Sequence, residues 1–237
     1  MSKKQHLSRL AAPRKWPISR KASKWIAKTS PGSHSLKNSI PLVVILRDIL
    51  KLASNSKNVK YLLSTDQVLV NNRKVKDIKF AVGLLDVVSL PKIKTYYRVI
   101  LKKQGTFAFI KIPESESNIM LLRIKNKKVI SKGKVQLNFN NGWNIIVKKD
   151  DYKTNEVIIF DTKTNTIKSK LVLKSGASVY LVGGKHRGIL AKYKSVREYG
   201  TLKKHKIVQV IDGKTELESS VENIMVIGEA KPAIKLE

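Results

Sequence analysis

Cysteine is absent from the chain. That excludes a disulfide framework and a thiolate metal site, and it suits a reducing cytoplasm. Acids are scarce: 17 Asp and Glu stand against 48 Lys and Arg, for a formal net charge of +31. No acid precedes Asp48. The four histidines, His6, His34, His186 and His205, are scattered and lack metal-ligand spacing. Long apolar runs are missing, since none approaches the roughly 20 residues that span a bilayer. The basic N-terminal stretch has no continuous apolar segment, so no secretory signal is expected there. No basic amphipathic helix or lipidation motif calls for a membrane surface.

Catalytic patterns are missing as well. Gly183-Gly184-Lys185 lacks the features of a phosphate-binding loop: Val179 stands where Gly is needed and His186 follows the lysine. Asp150-Asp151 lies between Lys148-Lys149 and Tyr152-Lys153, which reads as a solvated turn rather than an acid pair. The chain is therefore expected to be no enzyme and to carry no cofactor or metal.

What is present is positive charge. Self-repulsion opposes compactness, so such an excess implies a polyanionic partner, with nucleic acid first. The hydrophobic fraction of 42% still supplies real cores over 237 residues. Residues 1–40 hold Lys3, Lys4, Arg9, Arg14, Lys15, Arg20, Lys21, Lys24, Lys28 and Lys37, interleaved with Trp16 and Trp25. Pro13, Pro17 and Pro31 interrupt any long helix. The expectation is an extended arm, mobile when free and with few contacts to the body. Its cations would meet phosphates, and its two tryptophans would stack on bases or bury against neighbours.

Residues 41–92 read as helix, helix, hairpin. Leu42, Ile45, Leu46, Ile49, Leu50 and Ala53 fall at helical spacing. Ser54, Asn55 and Ser56 break that helix, and Ser56 can cap a second one through Leu63. Asn71-Asn72 between short apolar runs tolerate positive φ and suit a tight turn. Arg47, Lys51, Lys57, Lys60, Arg73, Lys74 and Lys76 give the unit a basic side. From Lys92 onward, alternation with regular turn signals predicts β structure. The last portion, from Ser175, has short strands and a Gly-rich loop carrying Lys185, His186 and Arg187, as a small SH3-like barrel would.

The stretch 41–92 resembles the S-four type RNA-binding domain, through Arg47 to Lys51, Val68 to Asn72 and Gly83 to Val88. Asn72 stands where that family usually has Gly. The stretch around Gly188 and Ala191 resembles a KOW motif. From end to end the chain is similar to the archaeal and eukaryotic small-subunit ribosomal protein family S-four-e. That likeness rests on Arg9-Leu10-Ala11-Ala12-Pro13, Trp16-Pro17-Ile18, Lys24-Trp25, Ile40-Pro41-Leu42, Tyr97-Arg98-Val99, Gly184-Lys185-His186 and Val226-Ile227-Gly228. Ser33 and Trp143 depart from the family pattern. The fold class it implies is α+β multidomain, with a basic extended N-terminal arm (1–40) and a small helical-pair and hairpin RNA-binding domain (41–92). A central β domain (93–174) and a C-terminal SH3-like KOW β-barrel (175–237) follow. The implied role is a structural constituent of the small ribosomal subunit, cytoplasmic, bound to its ribosomal RNA and to neighbouring ribosomal proteins, without homo-oligomers. The alternative is a KOW-containing transcription or RNA-chaperone factor.

Overall fold

Five successive apolar residues, Leu42 to Leu46, are all buried, and the first unit of the chain is built around them. The structure is a computed structural model that describes residues 6–130, 133–148, 150–199, 205–213 and 215–236, with His205 described by its backbone alone. Lys3, Lys4, Lys149, Lys214 and the side chain of His205 lie outside the described residues. The chain is mostly β and divides into two compact units. The first runs to Ile100 and takes in Thr106–Asn118; the second joins Leu101–Gly105 to the chain from Ile119 onward.

In the first unit, β1 (Leu7–Ser8) and β2 (Trp25–Ile26) form an antiparallel ribbon. β3 (Ser39–Pro41) leads into α1 (Leu42–Val44), which widens into a π-turn over Ile45–Ile49. The expected helix to Ala53 is thus cut short. Lys51 takes φ 54°, and the Leu52 N–H returns to the Leu46 carbonyl at 2.8 Å, which closes the end. Ile49 and Leu50, expected in the core, are only half-buried. α2 (Ser56–Ser64) follows, capped by Asn55 rather than Ser56: its Oδ1 accepts from the Asn58 N–H at 2.9 Å.

β4 (Leu69–Val70) and β5 (Arg73–Lys74) make the expected hairpin. Asn71 and Asn72 sit at φ 49° and 63°, the left-handed pair that a two-residue turn requires. β6 (Ala81–Gly83) pairs with β3, and β7 (Val87–Leu90) lies between β4 and β8 (Thr95–Leu101). β9 (Phe107–Ile112) completes the strand order β5-β4-β7-β8-β9, and α3 (Glu114–Ser117) is a single turn. The boundary expected between 92 and 93 therefore falls inside a sheet, because β7 and β8 pair across it.

The arm is a folded part of this unit, which corrects the expectation of an extended chain with few contacts. Trp16 is 2% exposed, and its Nε1–H donates to the Ser39 carbonyl at 2.7 Å. The Lys15 carbonyl accepts from the Phe107 N–H at 2.7 Å. The Arg20 guanidinium donates to the carbonyls of Leu10, Ala12 and Pro13, and Arg9 donates to the Ser19 carbonyl and to Ser23 Oγ. The physical reason is that these arginines satisfy carbonyls that a proline-divided chain cannot pair with its own N–H groups. One buried indole then anchors the arm and offsets part of its ordering entropy.

The second unit holds two five-stranded antiparallel sheets. β10 (Ile119–Val129), β11 (Val135–Phe139), β12 (Asn144–Val147), β13 (Val157–Asp161) and β14 (Thr166–Leu171) are ordered β12-β11-β10-β13-β14. Alternate residues of β10 and β11, among them Leu122, Ile124, Leu137 and Phe139, join Ile158 and Phe160 in one core. Trp143 closes its edge, 5.7 Å from the Phe160 ring. β15 (Ser178–Leu181), β16 (Leu190–Tyr199), β17 (His205–Asp212), β18 (Thr215–Ser220) and β19 (Ile224–Gly228) are ordered β18-β17-β16-β15-β19. β18, with the sequence TELESS, has one apolar residue, so apolar alternation does not mark it as a strand.

Candidate nucleic-acid interface

α2 sets the geometry. Val59 and Leu63 are buried four residues apart, which turns Lys57 and Lys60 to solvent. Lys60 and Lys76 line one cleft of about 400 Å³ with Ser64, Asp77 and Ile78. Tyr61, 64% exposed, neighbours Lys60 in sequence and was missed. Its signal was its position, two residues from both Val59 and Leu63, off their face.

A second cleft of about 600 Å³ has Arg47 and Lys51 on its wall with Ile18, Leu52 and Ala53. Arg47 grips Asp48 through Nε and a terminal nitrogen at 2.8 and 2.9 Å. That hydrogen bonding lifts its guanidinium above its ordinary value against partial burial. Arg73 and Lys74 are exposed on β5, and Lys74 pairs with Asp66 at 2.6 Å.

In the arm the sequence candidates divide. Arg9 and Trp16 are buried, and Arg20 is turned onto backbone carbonyls. Trp16 is thus a core anchor and offers no face for a base. Lys15 donates to Asn38 Oδ1 at 2.7 Å. Arg14, Lys21 and Lys24 are exposed, and Trp25 is 53% exposed with Lys24 Nζ 5.3 Å from its ring centre.

The arm is latched by a buried cluster. The Asp86 carboxylate accepts from His34 Nε2 at 2.9 Å, Asn71 Nδ2 at 2.8 Å and the Gly83 N–H at 2.7 Å. Burial opposes the charge on Asp86, yet these donors, His34 first, hold its carboxyl below the ordinary value. Burial likewise opposes imidazolium at His34, and Asp86 overcomes it and raises the ring's pKa. A Cβ on Gly83 would stand 2.3 Å from that ring, so only glycine fits beneath it.

In the second unit, Lys185 is exposed while His186 and Arg187 are half-buried. The Arg187 side chain lies over Gly105, where a Cβ would come within 1.9 Å of its Nε. Gly188, at φ 81°, leaves no room for a Cβ beside the Lys102 carbonyl. The loop thus rests on the 101–105 turn, which Tyr180 holds: its OH donates to the Leu101 carbonyl at 2.7 Å and accepts from the Leu101 N–H at 2.9 Å. Burial pushes the Tyr180 phenol up to about 12. The Tyr180→Phe chain should lose about 1–3 kcal/mol, because the buried Leu101 amide loses its partner. Denaturant midpoints check this, and an unchanged midpoint would refute the role given to the hydroxyl.

Arg123, also unforeseen, is 7% exposed and donates to the carbonyls of Val221 and Glu222 and to Asn155 Oδ1. The following residue, Asn223, lies against Gly183 and Gly184, so Arg123 steadies the segment that backs the loop. Asp150 pairs with Lys127 at 2.7 Å. Among the described residues, no three His, Asp or Glu gather as metal ligands, and no helix is long and apolar enough to cross a membrane.

The arrangement is a set of exposed cations on helix, strand and loop. Residues 93–167 match the model of Ribosomal family S4e, and residues 1–37 match the RS4NT (NUC023) domain. The small ribosomal subunit protein eS4 of Methanocella arvoryzae is 36% identical over 230 residues, covering 97% of each chain. That of Methanosphaera stadtmanae is 38% identical over 244 residues, covering 100% of this chain and 97% of its own. The crystal structure of the 30S ribosomal protein S4e from Thermoplasma acidophilum shares the fold, with a TM-score of 0.68 at 22% identity over 81% of this chain and 96% of that one. By identity sustained over nearly its whole length, the chain belongs to the small ribosomal subunit protein eS4 family.

Proposed function

We propose that the chain is a structural constituent of the small ribosomal subunit that holds ribosomal RNA on several basic surfaces and supports translation in the cytoplasm, beside neighbouring ribosomal proteins. The observation that carries this is the exposed lysine pair Lys57 and Lys60 on α2, with Lys76 beside Lys60 in one cleft, in a chain of net charge +31. The helix fixes the lysines' backbone in advance, so only side-chain freedom is lost on meeting phosphates. Arg14, Lys21, Lys24, Trp25, Lys51, Arg73 and Lys185 are the further RNA-facing candidates, all exposed. Arg9, Trp16, Arg20 and Arg187 act instead by holding those surfaces in place. Segment 175–237 serves as an SH3-like KOW barrel that presents the Lys185 loop. Linking modest sites raises the overall affinity by effective concentration.

Each neutralised phosphate contributes about −0.7 to −0.9 to the slope of log K against log salt. Engagement of several surfaces should give small-subunit rRNA a slope steeper than about −4. Filter binding across a salt series measures it. A nearly flat dependence would overturn this reading, as would absence of the endogenous protein from the small subunit in sedimentation.

A further inference from the structure

The outer face of β10, β11 and β12 carries an ordered set of side chains that the cationic surfaces do not use. Strand register places Asn126, Asn138 and Asn144 side by side across the three strands. The next row is Lys128, Gln136 and Ile146. The intervening Leu137 and Ile145 face the core, so the amide rows face away from it. Asn126 and Asn144 are exposed, and Gln136 and Asn138 on the central strand are half-exposed.

The amides are wired together. Gln136 Nε2–H donates to Asn138 Oδ1 at 2.7 Å, and Asn138 Nδ2–H donates to Asn126 Oδ1 at 2.8 Å. This chain fixes each amide's orientation and leaves an acceptor at one end, Gln136 Oε1, and a donor at the other, Asn126 Nδ2. One row further along, Lys134 and Lys148 are exposed. No carboxylate stands in any of the three rows.

We propose that this face docks against the minor groove of a ribosomal RNA double helix; the proposal rests on the rRNA-binding reading above. The A-form minor groove is wide and shallow and displays 2′-hydroxyls and base edges, whereas the major groove is too narrow for side chains. A 2′-hydroxyl donates and accepts, and so does a primary amide. Rows about 7 Å apart along the strands, with strands about 5 Å apart, form a nearly flat grid that suits a shallow groove. Lys134 and Lys148 at one border reach the phosphates of one strand. Two other occupants fit the face poorly. Single-stranded RNA calls for aromatic stacking platforms, and the rows contain none. A protein partner calls for an apolar centre, and the rows expose only Ile146 and the flanking Ile130.

The test compares the full chain with the Asn126→Ala/Gln136→Ala/Asn138→Ala variant on full-length small-subunit rRNA. Three lost hydrogen bonds should weaken binding about tenfold or more. The salt slope should stay unchanged, because no phosphate contact is removed. The Lys134→Gln/Lys148→Gln variant should instead flatten the slope by about 1.4–1.8. Hydroxyl-radical cleavage should show ribose protection on both strands of one helix, lost in the amide variant while protections elsewhere persist. Asn138→Asp, isosteric but anionic and without the donor, should lose the same protection, and it covers the case in which the triple variant melts early. The proposal falls if the amide variant keeps wild-type affinity and footprint, or if the lost protections map to single-stranded loops. It also falls if RNA binding is normal but subunit incorporation drops, which would put a protein on this face. A wild-type chain that fails to bind rRNA at all brings down the ribosomal reading too, so the two failures are separable.

Discussion

Replacing Asp86 by Ala should cost about 3–5 kcal/mol, the scale for removing one member of a buried, hydrogen-bonded charge pair. Asp86 is 2% exposed, and its carboxylate is the common acceptor for His34, Asn71 and the Gly83 N–H. Without it, three donors are stranded in a site that water does not reach. The damage spreads in two directions. Asn71 also accepts from the Val87 N–H at 2.8 Å, so the β4–β5 turn loosens, and His34 no longer fastens the arm. pH supplies the diagnostic. The Asp86 carboxyl is lowered from 3.8 in the fold, so its contribution is present above that value and is lost as pH falls through the folded one. His34 is raised from 6.5, so its contribution is complete below that value and is lost as pH rises through the folded one. The stability gap between wild type and Asp86→Ala should therefore be widest between pH 3.8 and 6.5 and narrower on both sides. Urea unfolding of both chains from acid to mildly alkaline pH measures it. A gap under about 1 kcal/mol, or one indifferent to pH, contradicts the latch.

Parts of this architecture were legible because the signal is local. Val135 to Phe139 alternates strictly, and β11 has those bounds. Asn71-Asn72 announced a hairpin because the left-handed conformation is a property of those two residues alone. The fate of the arm was not legible. Trp16 is bonded to Ser39, 23 residues away, and the Lys15 carbonyl is held by Phe107, on a strand distant in sequence. In sequence Arg20 and Lys21 are interchangeable basic residues. In the fold one is turned onto three carbonyls and the other faces solvent. Arginine's planar set of five donors makes the difference, since it can satisfy several carbonyls at once. Arg98 and Arg123 carried a fainter signal: each interrupts an apolar strand run, Tyr97 to Leu101 and Met120 to Ile124. A charge there is either a strand error or a buried, bonded group, and both are bonded.

The Lys57→Gln/Lys60→Gln/Lys76→Gln chain should bind small-subunit rRNA roughly 100-fold more weakly near 0.15 M salt, at about fivefold for each phosphate contact by counterion release. Its salt slope should flatten by about 2–2.7. All three side chains are exposed, and none forms an ion pair among the described residues. Gln keeps the aliphatic stem and helix propensity, so stability should stay within about 0.5 kcal/mol of wild type. Lys74→Gln is the internal control. Its Nζ is held by Asp66 at 2.6 Å, so a phosphate must compete with a carboxylate already in place, and the change in slope should be well under one. Binding isotherms at four or five salt concentrations separate the cases. If the triple variant keeps the wild-type slope while Lys74→Gln flattens it, the RNA backbone runs along β5 and not across the α2 cleft. If neither variant changes the slope, the first unit's lysines do not meet phosphate, and the affinity must come from elsewhere on the chain. An rRNA strand laid across α2 predicts a third result as well: Tyr61→Ala should weaken binding at every salt concentration by a constant factor, because a ring stacked on a base or sugar releases no counterion.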